Sequence, residues 1–438
     1  MKSEQDYNIN NNEGKDNFYG IQSSYNFHDY EVSQTKRKSY VNGVLTGIVV
    51  STVFAFLVFS IIKFYDNVGI VEKAATESAE SVTDETITKK IGLLEKTIDK
   101  YFWKDTEKTK LENGIYKGLV DSLEDPYSVY YTHEELLELQ QQTQGIYYGI
   151  GAYISQDKET GYVQISKIIK GTPAEESALM PKDYIYEVNG ESMQGKDSAY
   201  VVSKIKGEEG SFVTITVVRE GVNEPIDIEV QRRKIESPTV EYVMHDNGIA
   251  YIQITEFDLV TTGQFESAYN QAKSDNMKGL IIDLRSNPGG NLSTVCDISR
   301  MILPKGLIVY TEDKYGERNE YTCNGKNQIN VPLIVLTDGY SASASEILAG
   351  AVKDYGIGKI MGTTTYGKGI VQKVIDMSDG SAIKLTVSTY YTPNGNNIHE
   401  IGVEPDIVVE FDYEQYLNGV DNQLEAAKEE MLKMIRER

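Results

Sequence analysis

Between residues 331 and 372 the chain reads as an apolar run, a short turn, a helix and a glycine-rich second turn. That order commits this part of the molecule to a core of packed strands and helices. The run V-P-L-I-V-L at 331–336 leads in as a buried strand, and Ile347, Leu348, Ala351 and Val352 recur at helical spacing over 343–354. Ser343 therefore sits where a strand turns into a helix, a seat on which unpaired N–H groups and the positive end of the helix dipole converge. Lys368 follows twenty-five residues later, between Gly367 and Gly369. Two plainer readings compete. S-A-S-E at 343–346 fits S-x-x-E, which would make Ser343 an N-cap closed by Glu346. G-T-T-T-Y-G-K at 362–368 matches most of a phosphate loop, but Gly369 stands where that loop needs a Ser or Thr hydroxyl for magnesium. The nucleotide reading fails at that residue.

The chain's 438 residues allow two or three domains with ample core. With 43 basic and 66 acidic residues its formal charge is −23, which argues against a nucleic-acid partner. Cys296 and Cys323 lack metal-ligand spacing, and an isolated pair gives no disulfide framework, so pairing and two free core thiols both stay open. His28, His133, His245 and His399 lie in no zinc-protease or triad-like context, so neither a metal nor a cofactor is expected. Residues 1–38 are rich in Asn, Ser and Tyr without periodicity and read as a disordered tail. Lys36-Arg37-Lys38 then abuts an uncharged run over 39–62, long enough to span a bilayer with some tilt. The basic flank places the tail in the cytoplasm, and no small-residue cleavage site follows, so residues 39–65 are expected to be an uncleaved single-pass anchor. Everything beyond would then lie outside the cytoplasm of the cell membrane. Residues 66–84 are polar and acidic, like a stalk.

Ile87, Ile91, Leu94, Ile98 and Phe102 recur at three- and four-residue steps, and 111–123 repeats the pattern; both read as amphipathic helices, either simply packed or forming a dimer arm. Y-G-I-G-A-Y-I at 148–154 is a glycine-rich turn entering a strand. Such a turn can aim backbone N–H groups at a peptide's terminal carboxylate, although G-x-G alone is more often a bare hairpin. Strand patterns follow at 165–169 and 212–218, with helix patterns starting at Gly171 and ending at 201–207. From Gly248 onward, an apolar strand at 249–254, a helix over 262–272 and a buried strand at 279–285 alternate. Residues 381–391 read as a strand and 415–438 as one charged amphipathic helix that packs or dimerises.

S-A-S-A-S-E at 341–346, followed at this distance by T-Y-G-K-G-x-x-Q at 365–372, resembles the C-terminal processing peptidases, the PDZ-carrying Ser/Lys endopeptidases of peptidase family S41. L-E-D-P-Y-S-V-Y at 123–130, D-L-R-S-N-P-G-G at 283–290 and the segment 390–406 resemble the same family, so the likeness covers about 85–409. It implies a mixed α/β multidomain fold: a transmembrane anchor, an N-terminal helical region at 85–135, a PDZ domain at 136–232, a ClpP/crotonase-like protease core at 233–412 and a terminal helix at 413–438. It implies Ser343 as nucleophile, Lys368 as its base, Gln372 as supporting group and Asp354 as an accessory acid, which by position is structural first. The oxyanion hole falls on the N–H of Gly289 or Gly290 together with that of Ala344, glycines letting backbone approach without a Cβ in the way. Lysine serves as base only if burial lowers its pKa from about 10.4 by several units.

In the PDZ domain the peptide's end would meet Gly149, Ile150, Gly151 and Ala152, with Tyr153 and Ile154 near the groove and Val201 and Val202 on its helical wall. Lys206 stands where relatives often carry Arg; it is either a solvated lysine or a relay from groove to active site. The expected partners are proteins with exposed apolar C-termini, the membrane and a second copy of the chain. Thr363-Thr364, Tyr340 and Asn291 depart from the family's usual residues without removing a proposed catalytic group. The competing function is a membrane-tethered PDZ scaffold on a silent core; loss of Ser343 or Lys368 would have favoured it, and both are present.

Overall fold

The computed structural model describes residues 85–158 and 160–438. The expected tail, anchor and stalk at 1–84 lie outside the described residues. Among the described residues no helix is long and apolar enough to cross a membrane. The chain divides into two units, Met1–Asp105 and Thr106–Arg438. Of the first, residues 85–105 are described; they begin with the helix Glu85–Tyr101, whose apolar residues fall at the steps expected of an amphipathic helix.

The second unit is built on a six-stranded sheet in the order Val240–His245, Ile249–Ile254, Gly279–Asp283, Leu333–Thr337, Lys359–Gly362 and Ile407–Val408. The first pair is antiparallel and every later pair parallel. Parallel strands need covering on both faces, which is why the two central strands are buried along their whole length. Alternation divides their side chains between two cores. Leu280, Ile282, Leu333 and Val335 face the helices Thr261–Ser274, Leu292–Arg300 and Ala344–Tyr355. Ile281, Ile334 and Leu336 face Ala427 and Met431 of the helix Asn422–Arg436. Gly279 permits that helix its approach, because a Cβ there would lie 2.3 Å from Met431 Sδ.

The single C-terminal helix expected over 415–438 is two, Tyr413–Leu417 and Asn422–Arg436, broken at Gly419 with φ 81°. Asp421 caps the second by accepting from Leu424 N–H and also meets Arg285 at 2.7 Å. Arg285 in turn grips Asp283, a carboxylate with no exposed surface that also accepts from Tyr251 Oη. The D-L-R part of the family motif thus fastens the terminal helix to the sheet, where removing one partner would strand a buried charge.

A second, antiparallel sheet joins Val129–Tyr131, Ala382–Tyr391, Gly306–Asp313 and Arg318–Cys323, with Ile370–Asp376 along the opposite edge of Ala382–Tyr391. Residues 129–131, expected within a helical region, therefore belong to the sheet of the core. Cys296 and Cys323 are free and buried.

The domain expected to be a PDZ is an insertion. The chain enters through Ile146–Gly149 and leaves through Arg233–Glu236, and these two strands pair antiparallel as a ribbon. At its base Ser237 N–H donates to Gly145 O. Its six-stranded sheet has Ala152–Gln156 at one edge and Ile226–Gln231 at the other, over a core of its own. Feeding the ribbon is the helix His133–Gln144, started by a Thr132–Glu135 capping box and stopped by Gly145 at φ 67°.

Candidate active site

Four neighbouring core strands end on the same side, and the loops leaving their carboxyl ends carry the candidate residues, the place where open α/β sheets hold ligands. Ile254 leads to Glu256 and Asp258, Asp283 to 287–291, Thr337 to Ser343, and Gly362 to Lys368.

The three serines of S-A-S-A-S separate by what they touch. Ser341 Oγ donates to Leu284 O at 2.8 Å and Ser345 Oγ to Asn287 O at 3.0 Å, so the outer two fasten the turn to the 284–287 loop. Both are fully buried, whereas Ser343 is half-buried and lines a cavity of about 770 Å3. Its backbone sits at φ 54°, ψ −111°, a conformation that costs a non-glycine residue of order 1–3 kcal/mol. Beyond the first helical bonds that its carbonyl accepts from Glu346 and Ile347 N–H, two contacts hold it there: Tyr390 Oη donates to Ser343 O at 3.0 Å, and Ser343 N–H donates to Glu346 Oε2 at 2.7 Å.

Glu346 is the hub of the site. Its carboxylate has no exposed surface, and besides Ser343 N–H it accepts from Lys368 N–H at 2.9 Å, Gly367 N–H at 2.7 Å and Thr365 Oγ1 at 2.7 Å. Four donors offset the cost of burying the charge. One carboxylate therefore positions the backbones of both Ser343 and Lys368. The capping half expected of Glu346 is present, and it is a quarter of what the side chain does.

Both glycines around Lys368 are required by close approach: a Cβ on Gly367 would lie 3.0 Å from Ile401 N, and one on Gly369 2.6 Å from His399 N. The Lys368 ammonium sits 4.2 Å from the Tyr127 ring centroid, at a neighbouring cavity of about 540 Å3 that Tyr340, Tyr366 and Pro288 also line. No hydrogen bond joins it to Ser343 Oγ among the described residues. Burial, and after it the like charge of Lys384, lowers the Lys368 pKa below the ordinary lysine value, against the pull of Asp125 and Glu346. Tyr127, hydrogen-bonded to Tyr366 and partly buried, is pushed up to about 12 and offers Lys368 a neutral ring. Gln372 lines the larger cavity and donates to Thr386 Oγ1 at 3.2 Å.

Gly289 and Gly290 differ. Gly289 N–H is taken by Asn287 Oδ1 at 2.8 Å, while a Cβ on Gly289 would lie 2.8 Å from Ser343 Cβ and 2.9 Å from Ala344 N. Its part is to let the two loops touch. Among the described residues the N–H groups of Gly290 and Ala344 have no acceptor, and Gly290 lines the cavity with Ser343. Of the two glycines, Gly290 is thus the one whose N–H stays available beside that of Ala344.

Asp354 lies at the far end of the helix that Ser343 begins, about 16 Å away at 1.5 Å per residue. It accepts from Asn394 N–H at 2.8 Å, an attachment of the 392–397 turn. In the PDZ domain a small cavity of about 50 Å3 is lined by Gly149, Ile150, Gly151, Ala152, Ile154, Val202, Tyr147, Ile205 and Lys206. Val201 and Tyr153 do not line this cavity: Val201 is fully buried in the domain core, and Tyr153, 44% exposed, alternates with Ala152 and Ile154. Lys206 lies 5.8 Å from the Tyr147 ring centroid, a contact confined to the ribbon side of the groove.

Sequence reasoning missed Asp125 and Ser128. Ser128 Oγ donates to Asp125 at 2.6 Å and accepts at 3.2 Å from the N–H of Thr386, the residue whose hydroxyl holds Gln372. Burial works to raise the Asp125 carboxyl, but hydrogen bonds from Ser128, Thr386 and Tyr127, with the charge of Lys368, outweigh it and hold the group below the usual range. The D-P-Y-S string was visible; its packing on the 382–391 strand was not.

Fold and site together define a serine peptidase with an inserted PDZ domain. The pattern of peptidase family S41 matches residues 248–409, that of the activating protease CtpB N-terminal domain 48–135, and that of the PDZ domain 137–218. The chain is 36% identical to the carboxy-terminal processing protease CtpB of Bacillus subtilis (strain 168) over 76% of its own length and 70% of that protein's. It is 32% identical to a CtpA-like serine protease of Staphylococcus aureus (strain COL), over 90% of this chain and 78% of the other. A solved photosystem II D1 C-terminal processing protease aligns with a TM-score of 0.44 and 28% identity, over 73% of this chain and 86% of that one. The chain belongs to the C-terminal processing serine peptidases of family S41.

Proposed function

We propose that the protein is a single-pass membrane endopeptidase that cuts peptide bonds with a Ser343/Lys368 dyad. The observation that carries this reading is the Glu346 carboxylate, which binds the N–H groups of both residues and so fixes their backbones relative to each other. Chemistry requires the Lys368 amine, neutral and swung from Tyr127 toward the larger cavity, to take the Ser343 Oγ proton as Oγ attacks the carbonyl carbon. Negative charge then develops on the carbonyl oxygen between the N–H groups of Gly290 and Ala344. Collapse leaves an ester on Ser343, and the departing amine takes the proton from Lys368. Water, deprotonated by the Lys368 amine, attacks the ester carbonyl; the ester C–O bond breaks, the acid leaves, and Ser343 Oγ takes the proton back from Lys368. Gln372 steadies the amine without adding charge.

Substrate tails would add along the free edge Ala152–Gln156 with the terminal carboxylate at 149–152, the mode by which extended peptides extend a sheet. The uncharged run at 39–62 behind Lys36-Arg37-Lys38 supports an anchor with a cytoplasmic N-terminus and substrates outside the cytoplasm. A homodimer through the helix Glu85–Tyr101 remains part of the proposal; the C-terminal helix already spends its apolar face on the core.

The test follows hydrolysis of an unfolded protein with an apolar C-terminal tail by the full chain, as a function of pH. Neutral amine is the active form, so the rate rises with pH, with its midpoint below the ordinary lysine value. Because the Lys384 charge helps to lower the Lys368 pKa, Lys384→Met should move that midpoint to higher pH. A midpoint that stays put, or falls, would remove Lys368 from the role of base.

A further inference from the structure

The cavity that holds Ser343 has an acidic end that the proposed dyad does not use. Asp258 and Glu256 both line it, from the loop that follows Ile249–Ile254. Asp258 is only 7% exposed, yet among the described residues its carboxylate has neither a hydrogen bond nor an ion pair. Its contacts are made by the backbone: Asp258 N–H donates to Thr261 Oγ1, and Asp258 O accepts from Thr294 Oγ1. A buried carboxylate without a partner is costly, and natural interiors rarely keep one. Burial, with Glu256 beside it, pushes the carboxyl up to about 6, the response of an acid that lacks a cation. Lys384 lines the same cavity but lies 5.4 Å from the Tyr131 ring centroid and does not pair with Asp258.

The position also fits a substrate contact. Phe257 N–H donates to Gly289 O at 2.9 Å, and Asn291 N–H donates to Phe257 O at 2.7 Å. Asp258 is therefore the next residue after the one joined to both neighbours of Gly290. A peptide with its scissile carbonyl at Gly290 and Ala344 would pass a neighbouring side chain along this wall.

We propose that Asp258, with Glu256 beside it, is a specificity residue that receives the ammonium or guanidinium of a basic substrate side chain close to the scissile bond. This rests on Ser343 being the nucleophile of the same cavity. It concerns the residues around the cleaved bond, separately from the C-terminal tail held by the PDZ domain.

The experiment has two steps. The full chain digests an unfolded test protein, and the cleaved bonds are mapped by mass spectrometry; Lys and Arg should be enriched at one fixed position near the cut. Two peptides differing only by Lys or norleucine at that position are then compared by kcat/KM. Wild type should favour Lys by about ten-fold or more, the scale of one charge-assisted hydrogen bond. Asp258→Asn should bring the ratio close to one, Asp258→Glu should restore part of it, and Glu256→Gln should lower it less. A merely structural role would slow both peptides equally and leave the ratio at its wild-type value. That result, or cuts with no basic preference, overturns the proposal while leaving the peptidase reading standing. If wild type cuts nothing, the peptidase reading fails and the specificity proposal falls with it.

Discussion

Ser343→Ala is expected to lower peptide-bond hydrolysis by about 10^4-fold or more while leaving the fold intact. Loss of one member of a nucleophile–base unit costs nearly as much as loss of the whole unit, because neither acts without the other. Lys368→Ala should therefore fall to a similar floor, and the double variant should fall no further. Stability should hardly change in Ser343→Ala. The contacts that keep this turn in place use Ser343 N–H and Ser343 O, neither of which is the hydroxyl. Melting curves alongside initial rates check both halves. Residual turnover within about ten-fold of wild type in either single variant would mean that another group makes the attack.

Glu346→Ala should be the most damaging change outside the dyad. It leaves the N–H groups of Ser343, Gly367 and Lys368 and the Thr365 hydroxyl without their acceptor inside a closed core. Stranding the partners of a buried, hydrogen-bonded charge costs on the order of 3–5 kcal/mol. Activity should suffer beyond stability, by about 100-fold in the fraction that stays folded, since a misplacement of 1 Å is enough for that. Glu346→Gln preserves the shape but turns an NH2 group toward donors, and should behave nearly as badly. Denaturant midpoints and kcat measured on the same samples test this. A Glu346→Gln protein with wild-type stability and turnover would show that the hub is dispensable.

Much of this was readable from the chain because it depends on local pattern. The strand before Ser343 and the helix after it follow from apolar runs and three- and four-residue spacing, and both stand within two residues of where the pattern put them. What could not be read were groups placed by chain crossings. Glu346 looked like a cap because the donors it collects from 365–368 are distant in sequence. Asp125 and Ser128 looked like part of a helical arm because the strand Val129–Tyr131 takes its register from 382–384, some 250 residues away. Gly289 and Gly290 were interchangeable in the string P-G-G; only the Asn287 side chain, folding back two residues, decides which N–H stays free. The charged periodicity over 415–438 runs through Gly419, where glycine at positive φ stops one helix before the next begins.

Labelling the full chain with a fluorophosphonate and mapping the adduct by mass spectrometry reads out whether Lys368 makes Ser343 a nucleophile. One adduct is expected, on Ser343, forming faster as pH rises through the lowered Lys368 pKa and nearly absent in Lys368→Ala. An adduct on another residue, or one that forms on Ser343 equally fast without Lys368, would contradict it.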